Sequence, residues 1–266
     1  MSKSQEDHNT QNIPTHIGFI VDGNRRWARE RNLPTLEGHR RGFSKMEKIA
    51  EAIFDKGVKY ASFYVFSTEN WDRSKEEVSY LMDLLRNNIT RLSKKLQKKG
   101  IKLVVLGRRE PAPQDVLDSL STAEELTKNG KNGTVCICFN YGGKWEIADA
   151  INKLISDRLD QDFARANKNA HASINNSSAK TTPATSSDNI TTITPKIVEQ
   201  YLYHPEIPPC DLIVRTSGEE RISGFMLWRA AYSEFLFLKK YFPDMEVADL
   251  DEIIHEFSTR KRRFGK

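Results

Sequence analysis

Two kinds of hydrophobic pattern alternate along the chain. Short continuous apolar runs are typical of strands covered on both faces, and apolar residues that recur every three or four positions are typical of amphipathic helices. The short runs predict six strands: 17–21, 60–66, 102–106, 134–139, 211–214 and 235–238. The longer pattern predicts eight helices: 26–31, 38–56, 74–99, 113–128, 144–159, 197–203, 225–232 and 247–259. This alternation predicts an α/β fold with a central six-stranded parallel sheet flanked by helices.

Two polar segments interrupt the pattern. Residues 1–15 lack the apolar core of a signal peptide or a membrane span, so we expect them to be disordered and the protein to be cytoplasmic, at most peripheral at a membrane. Residues from about 164 to 194 are rich in Asn, Ser, Thr and Ala, and bury too little apolar surface to offset the entropy of ordering. The chain length predicts a single domain over 16–266 with this low-complexity insertion.

Composition narrows the kinds of partner. The 41 Lys and Arg residues against 36 Asp and Glu give a charge of +5, which suits an anionic ligand or a membrane surface. That excess is too small to indicate nucleic-acid binding, and basic stripes with stacking aromatic residues are not evident. The three cysteines, Cys136, Cys138 and Cys210, form no disulfide or zinc pattern and are predicted to be core thiols.

The first predicted strand ends in a group of charged residues. Asp22 and Gly23 follow the strand, and Arg25, Arg26 and Arg29 follow in turn. A helix start and forked arginine donors favour an anionic ligand such as a diphosphate. A carboxylate would repel that ligand unless a divalent cation lies between them, and Mg²⁺ binds one or two carboxylates together with substrate phosphates. The alternative is that Asp22 or Asn24 only caps a helix and the arginines form a solvated face.

Polar residues also follow the second strand and its neighbouring helix. The segment 67–73 contains Ser, Asn, Trp and Arg, and Ser74 with Glu77 has the spacing of a capping box. The apolar stripe of the helix over 74–99 predicts core packing, with enough length to line an elongated apolar cavity as well. His39 is either a polar residue at a helix end or a donor beside the anion site.

A second anion-binding loop follows the fifth strand. Arg215 and Arg221 flank hydroxyl groups and a glycine, so that one loop can present guanidinium, hydroxyl and N–H donors together. In open parallel sheets, ligands bind outside the carboxyl ends of the strands. The residues after strands one, two, four and five should therefore converge. Two anion-binding loops and a carboxylate that can bind a metal ion indicate two phosphorylated groups. The long apolar helix indicates a hydrophobic substrate or product.

These segments resemble the conserved blocks of the cis-prenyltransferases, which include undecaprenyl diphosphate synthase and the dehydrodolichyl diphosphate synthases. The resemblance runs from His16 to Gly265, apart from the insertion, and rests on residues 22–27, 66–73, 140–143, 215–219, 221–223 and Glu234. It implies a hydrophobic tunnel, a homodimer and dependence on Mg²⁺. It also implies that isopentenyl diphosphate is added to an allylic diphosphate, with farnesyl diphosphate expected, giving a Z-polyprenyl diphosphate that is a lipid carrier precursor for glycan synthesis.

The resemblance also implies roles for single residues. Asp22 is the expected metal ligand and essential carboxylate, with Glu234 near the same metal. The allylic diphosphate is expected on a first set: Gly23, Asn24, Arg25, Arg26, Trp27 and His39. The isopentenyl diphosphate is expected on a second: Arg215, Arg221 and Ser223. A closing loop that assists proton removal is expected from a third: Ser67, Asn70, Trp71 and Arg73. The tail Arg263-Phe264-Gly265 is expected to complete the neighbouring subunit's site, with Gly265 at the substrate.

Several alternatives stay open. Bacterial relatives often carry arginine where this chain has Thr35, so allylic diphosphate affinity is expected to be lower or to rely on Arg25. An aspartyl-phosphate hydrolase would usually carry a second aspartate where Asn24 stands. A non-catalytic subunit of a heteromeric transferase would not be expected to keep Asp22, Arg215, Arg221 and Glu234 together. Because the helix over 74–99 carries no extra segment, a short or medium product is expected.

Overall fold

The computed structural model describes residues 12–175, 192–260 and 262, with backbone only at 162, 163 and 165–175. The chain forms two compact units. The first consists of Met1–Gly143 with Ile207–Lys266, and the second of Lys144–Glu206. The organisation expected from the sequence, one domain with a disordered start, stays a prediction. Residues 1–11 and 176–191, where much of the predicted disorder falls, lie outside the described residues.

The first unit is built on the predicted six-stranded sheet. Its strands are β1 (His16–Ile20), β2 (Tyr60–Ser67), β3 (Lys102–Leu106), β4 (Thr134–Tyr141), β5 (Leu212–Arg215) and β6 (Glu234–Phe237). They lie in the order β3-β4-β2-β1-β5-β6, and every neighbouring pair is parallel. The predicted fold class is thus confirmed. Because all strands point the same way, their carboxyl ends meet at one edge of the sheet.

Helices follow the strands in turn. They are α1 (Asn24–Glu30), α2 (Thr35–Ala52), α3 (Lys75–Lys98), α4 (Gln114–Thr127), α5 (Gly143–Asn175), α6 (Pro195–Glu199) and α7 (Asp249–Thr259). Short 3₁₀ helices lie at Ile53–Lys56, Thr68–Asp72 and Phe242–Asp244. None of these helices, taken over the described residues, is both long and apolar enough to cross a membrane.

The apolar stripe of helix α3 packs into the hydrophobic core. Ser74 precedes the helix, and the Ser74 side chain accepts a hydrogen bond from the Glu77 N–H at 3.3 Å, as the predicted capping box requires at that end. Its apolar stripe packs into the main hydrophobic core, where Leu85, Ile89 and Leu92 are almost fully buried. Burying one such side chain stabilises the fold by about 2 kcal/mol. The stripe is therefore mainly core, as expected.

Several predicted helices have different bounds, and one is absent. The segment 225–232 forms turns, because Gly224 and Met226 have positive φ of 76° and 50°, which a right-handed helix cannot contain. Helix α5 runs to Asn175, beyond the predicted end at 159 and into the predicted insertion. The alanine, arginine and lysine residues of that stretch favour helix, and it contains no proline or glycine. Helix α6 ends at Glu199 and turns follow.

A buried histidine lies at the amino edge of the sheet. His16 is fully buried; its Nδ1 lies 2.8 Å from the Pro208 carbonyl oxygen and its Nε2 lies 2.7 Å from Ser62 Oγ. Burial, the largest effect, lowers the pKa of His16 to about 4, so the ring is neutral near pH 7. Nδ1–H must then donate to the carbonyl, and Nε2 accepts from the serine hydroxyl. The three cysteines are buried thiols, as predicted.

The first prediction concerns stability in acid. In the unfolded chain His16 binds a proton near pH 6.5, and in the folded protein only near pH 4, so the unfolded state binds more protons between these values. The free energy of unfolding should therefore fall as the pH drops through this window, by up to about 3 kcal/mol. In His16→Gln this fall should be smaller, although the variant is less stable at pH 7.

Urea denaturation between pH 7 and pH 4 measures this fall. His255→Gln is the matched control, because His255 is exposed on α7. Equal pH slopes in wild type and His16→Gln would contradict the prediction.

Candidate active site

The centre of the site is an ion pair between the ends of two neighbouring strands. Ile20 of β1 pairs in register with Arg215 of β5, and Asp22 follows two residues beyond. Arg215 Nη2 donates to Asp22 Oδ2 at 2.9 Å, and the Arg215 side chain is only 6% exposed. The predicted convergence of these two strand ends is therefore present.

Gly23 makes the turn that presents the carboxylate. Its φ of 100° is left-handed, and a Cβ there would lie 2.6 Å from Tyr241 Cδ1 and 2.9 Å from Ser217 Cβ. The Gly23 N–H donates to Asp22 Oδ1 at 2.6 Å. Gly23 is also the N-cap of α1, without a side-chain cap, so the simple capping reading of Asp22 or Asn24 is wrong.

The carboxylate of Asp22 is held in its charged form. Burial alone would raise the pKa of Asp22, but hydrogen bonds from Arg215 and Gly23 and the charge of Arg26 outweigh burial and lower it. Arg26 Nη2 lies 3.6 Å from Asp22 Oδ2. Asp22 is therefore an ionised acceptor at neutral pH, as a ligand for a hard divalent cation must be.

The second anion loop is tied to the first by side chains. Arg26 donates to Ser217 Oγ at 2.5 Å and forms an ion pair with Glu219 at 2.9 Å. Glu219 also pairs with Arg221 at 2.5 Å. Arg215 Nη1 donates to Ser223 Oγ at 2.9 Å. The structure thus brings together residues that the sequence assigned to two separate loops.

A buried carboxylate, Glu77, contacts three basic side chains of the site. It accepts from His39 Nε2 at 3.0 Å and from Arg73 Nη1 at 2.9 Å, and it lies 3.9 Å from Arg25 Nε. Burial lowers the pKa of His39, so His39 is neutral and its Nε2–H donates. Burial would raise the pKa of Glu77, but His39 and Arg73 outweigh it and lower it. The sequence reading took Glu77 only as a capping residue and missed this contact.

The loop after β2 is locked by its own side chains. Ser67 and Asn70 form a reciprocal capping box around the 3₁₀ helix Thr68–Asp72. Trp71 packs on Phe66 and donates from Nε1 to Asn140 Oδ1 at 2.8 Å. Asn140, at the carboxyl end of β4, also donates from Nδ2 to the Arg108 carbonyl at 2.9 Å. The predicted closing loop is therefore fastened to the sheet edge.

A cavity of about 870 Å³ lies at the carboxyl ends of β1, β2 and β5. Five arginines and a single carboxylate, Asp22, form its charged lining, so the cavity favours an anion. The arginines are Arg25, Arg26, Arg29, Arg73 and Arg215. Further predicted residues line it: Gly23, Asn24, Thr35, His39, Ser67, Asn70 and Ser223. Val21, Val65 and Leu81 add an apolar wall. Trp71 instead lines a neighbouring cavity of about 430 Å³, which Arg73 also borders.

Some predicted site residues lie elsewhere. Glu234 opens β6 opposite Leu212, at the amino end of the strands, where it pairs with Arg260 at 3.1 Å, so one chain does not bring it to Asp22. Trp27 is buried, and its Nε1 donates to Asp244 at 2.6 Å. The Arg221 side chain is 62% exposed. The tail motif, with Gly265, lies outside the described residues.

Comparison with known proteins identifies the class. Residues 20–265 match the family described as "Putative undecaprenyl diphosphate synthase", and the chain belongs to this family. An isoprenyl transferase of Thermotoga maritima is 39% identical over 95% of this chain and 97% of its own length. The tritrans,polycis-undecaprenyl-diphosphate synthase (geranylgeranyl-diphosphate specific) of Pyrococcus furiosus is 38% identical over 96% of this chain and 88% of its own.

A solved structure agrees with these relatives. The crystal structure of lavandulyl diphosphate synthase from Lavandula x intermedia, in complex with dimethylallyl diphosphate, superposes with a TM-score of 0.79. It is 28% identical, and the match covers 96% of this chain and 99% of that one. The resemblance to prenyltransferases predicted from the sequence is confirmed, and the hydrolase alternative is not supported.

The second prediction concerns Glu77. Glu77→Gln keeps an acceptor for His39 but removes the charge that positions Arg73 and Arg25. Because a displacement of about 1 Å can cost about 10²-fold, kcat/KM should fall by about 10- to 100-fold. Glu76→Gln is the matched control, since Glu76 is the exposed neighbour on the same turn.

Steady-state kinetics with isopentenyl diphosphate and an allylic diphosphate test this prediction, and thermal unfolding is measured alongside. A positioning role predicts changed kinetic constants at an unchanged melting temperature. A drop in melting temperature with kcat/KM unaltered would assign Glu77 to the fold alone.

Proposed function

We propose that the protein is a Mg²⁺-dependent cis-prenyltransferase. It condenses isopentenyl diphosphate with an allylic diphosphate, farnesyl diphosphate being the proposed primer and dimethylallyl diphosphate the shorter one for comparison. The observation that carries this proposal is the pairing of Asp22 with Arg215. That pair joins two anion-binding loops beside a single cavity with one apolar wall.

The arginines account for the bond that breaks. As the allylic C–O bond cleaves, its electron pair leaves with the diphosphate, and negative charge develops where Arg26 and the neighbouring arginines converge. Fixed guanidinium groups stabilise that charge without reorganising. The isopentenyl double bond then forms the new C–C bond to the allylic carbon, and a proton leaves the isopentenyl unit. Arg215 and Ser223 hold the isopentenyl diphosphate in position for this attack.

The donor set fits Mg²⁺ held mainly by its substrate. Asp22 is an ionised carboxylate within a group of arginines, and Mg²⁺ is commonly bound by one or two carboxylates plus substrate phosphates. Bound there, the ion would neutralise the departing diphosphate. Glu234 joins such a site only from another chain.

The closing loop and the apolar wall support the remaining steps. Ser67 and Asn70 line the cavity near Arg73, where their polar groups could assist removal of the proton. Each CH₂ group of the prenyl chain that is buried on the apolar wall contributes about 0.8 kcal/mol. The product would be a Z-polyprenyl diphosphate, and contact with a membrane would follow from that lipid.

The protein is further proposed to act as a homodimer. Helix α5 exposes the large apolar residues Trp145, Ile155 and Leu159, which is a surface that a second copy can cover. The tail motif at 263–265 is proposed to complete the site of the partner subunit.

The third prediction tests the reaction. Purified protein with Mg²⁺, farnesyl diphosphate and labelled isopentenyl diphosphate should give a butanol-extractable product that is lost on chelation. Asp22→Ala should lower the rate by at least about 10³-fold, since it removes the carboxylate that would hold Mg²⁺ at the departing diphosphate. Asp118→Ala is the control, because Asp118 is an exposed acidic residue on α4, outside the lining of the cavity. Normal turnover by Asp22→Ala would overturn the assignment.

The fourth prediction tests the homodimer by complementation. Asp22→Ala and a variant truncated after residue 262 should each be inactive alone. After mixing and subunit exchange, activity should return to a sizeable fraction of the wild-type value, because the intact tail of one subunit completes the site that retains Asp22. If the tail acts within its own chain, no mixture regains activity. Light scattering should give the mass of two chains.

A further inference from the structure

Four of the five arginines that line the cavity are already paired with carboxylates. Asp22 pairs with Arg215 at 2.9 Å and with Arg26 at 3.6 Å. Two more arginines lie beside the buried carboxylate of Glu77, at 2.9 Å and 3.9 Å: Arg73 and Arg25. A guanidinium group beside a carboxylate attracts a further anion less than one whose charge is uncompensated, because the two nearby charges partly cancel.

Arg29 is the fifth arginine of the lining, and it differs from the others in this respect. Among the residues that the structure describes, Arg29 has no ion-pair partner. It is exposed and lies one turn after Arg25 on α1, so the two share one face of that helix. Because arginine stays protonated in proteins, this position brings an uncompensated positive charge to the cavity.

Helix α2 brings a hydroxyl group to the same cavity from the neighbouring helix. Thr35 is the first residue of α2 and His39 lies one turn later, and both line the cavity. Two glycines let α2 approach α1 closely. A Cβ at Gly38 would lie 2.0 Å from the Asn24 carbonyl oxygen, and a Cβ at Gly42 would lie 2.2 Å from Asn24 Oδ1. The close contact fixes the spacing of the two helices that carry Arg29 and Thr35.

The turn between these helices holds the backbone of Arg29. The Asn32 N–H donates to the Arg29 carbonyl oxygen at 3.1 Å, and the Leu33 N–H donates to the Ala28 carbonyl oxygen at 2.9 Å. Asn32 has a φ of 52°, a left-handed conformation that asparagine adopts more readily than most residues. Arg29 therefore combines a fixed backbone with an exposed side chain that can close on a ligand.

We infer that Arg29 binds the diphosphate of the allylic primer, with the hydroxyl of Thr35 as a second donor. This inference rests on the proposed function and adds a residue to its primer site. The sequence allows reliance on Arg25 for that affinity, but Arg25 lies beside Glu77 and Arg29 does not. Arg29 borders the cavity on the side of the first anion-binding loop, so its charge acts on the primer rather than on isopentenyl diphosphate.

The fifth prediction tests Arg29 through the two substrates separately. Arg29→Gln should raise the KM for farnesyl diphosphate by about 10- to 100-fold, because a charge-assisted hydrogen bond to a phosphate is lost. The KM for isopentenyl diphosphate and kcat at saturation should stay unchanged. Arg29→Lys keeps the charge but loses the planar fork, so its KM for farnesyl diphosphate should fall between those of wild type and Arg29→Gln.

A binding measurement gives a readout that does not depend on turnover. Farnesyl thiodiphosphate, an unreactive analogue of the primer, is titrated calorimetrically into each variant in the absence of isopentenyl diphosphate. The Kd should rise in Arg29→Gln by the same factor as the KM. Arg25→Gln should raise the Kd less, because the charge of Arg25 is shared with Glu77.

The matched control is Arg41→Gln. Arg41 is an exposed arginine on α2 that does not line the cavity, so its removal makes the same change in net charge. Arg41→Gln should leave both KM values and the Kd unchanged. Melting temperatures are measured for all variants, and those of Arg29→Gln and Arg41→Gln should equal that of wild type because both side chains are exposed.

Each contrary result overturns a stated claim. Unchanged KM and Kd in Arg29→Gln would overturn the role of Arg29 and leave the transferase assignment intact. An equal rise of KM for both diphosphates, an equal effect of Arg41→Gln, or a larger effect of Arg25→Gln would overturn it as well. Failure of wild type to make any prenyl product from farnesyl diphosphate would instead overturn the proposed function, and with it this inference.

Discussion

The ion pair of Arg215 with Asp22 is the contact on which the site depends. Arg215 is almost fully buried, and a buried guanidinium without a carboxylate costs several kcal/mol. Asp22 in turn fixes the left-handed turn at Gly23 through its second oxygen, while Arg215 orders the loop around Ser223. Two loops almost two hundred residues apart in sequence are therefore set in position by one salt bridge between the ends of adjacent strands.

The position of the site could be predicted from sequence because a parallel sheet gathers the carboxyl ends of its strands. Asp22 follows β1, Ser67 and Arg215 are the last residues of β2 and β5, and the structure brings all three to one cavity. Glu234 shows the limit of inference by resemblance. It opens its strand, so the same rule places it at the opposite end of the sheet within one chain.

Other features left no trace in the hydrophobic pattern. Glu77 fits a capping box, a local pattern that does not reveal that its side chain turns away to His39 and Arg73. Trp27 belongs to the same block as Asp22, yet it faces Asp244 across a contact between residues far apart in sequence. The segment 225–232 is apolar enough for a helix, but it forms turns, and Met226 has a positive φ that a right-handed helix cannot contain.

Glu219 has a consequence for how the two proposed diphosphate sites affect each other. Its carboxylate is shared between Arg26, in the first anion loop, and Arg221, in the second. An anion that takes over either arginine leaves Glu219 to the other, which changes the charge that the next ligand meets. By thermodynamic linkage this coupling is reciprocal: whatever the first diphosphate does to the affinity for the second, the second does equally to the first. A single partly buried carboxylate would thereby make the two proposed diphosphate sites interdependent.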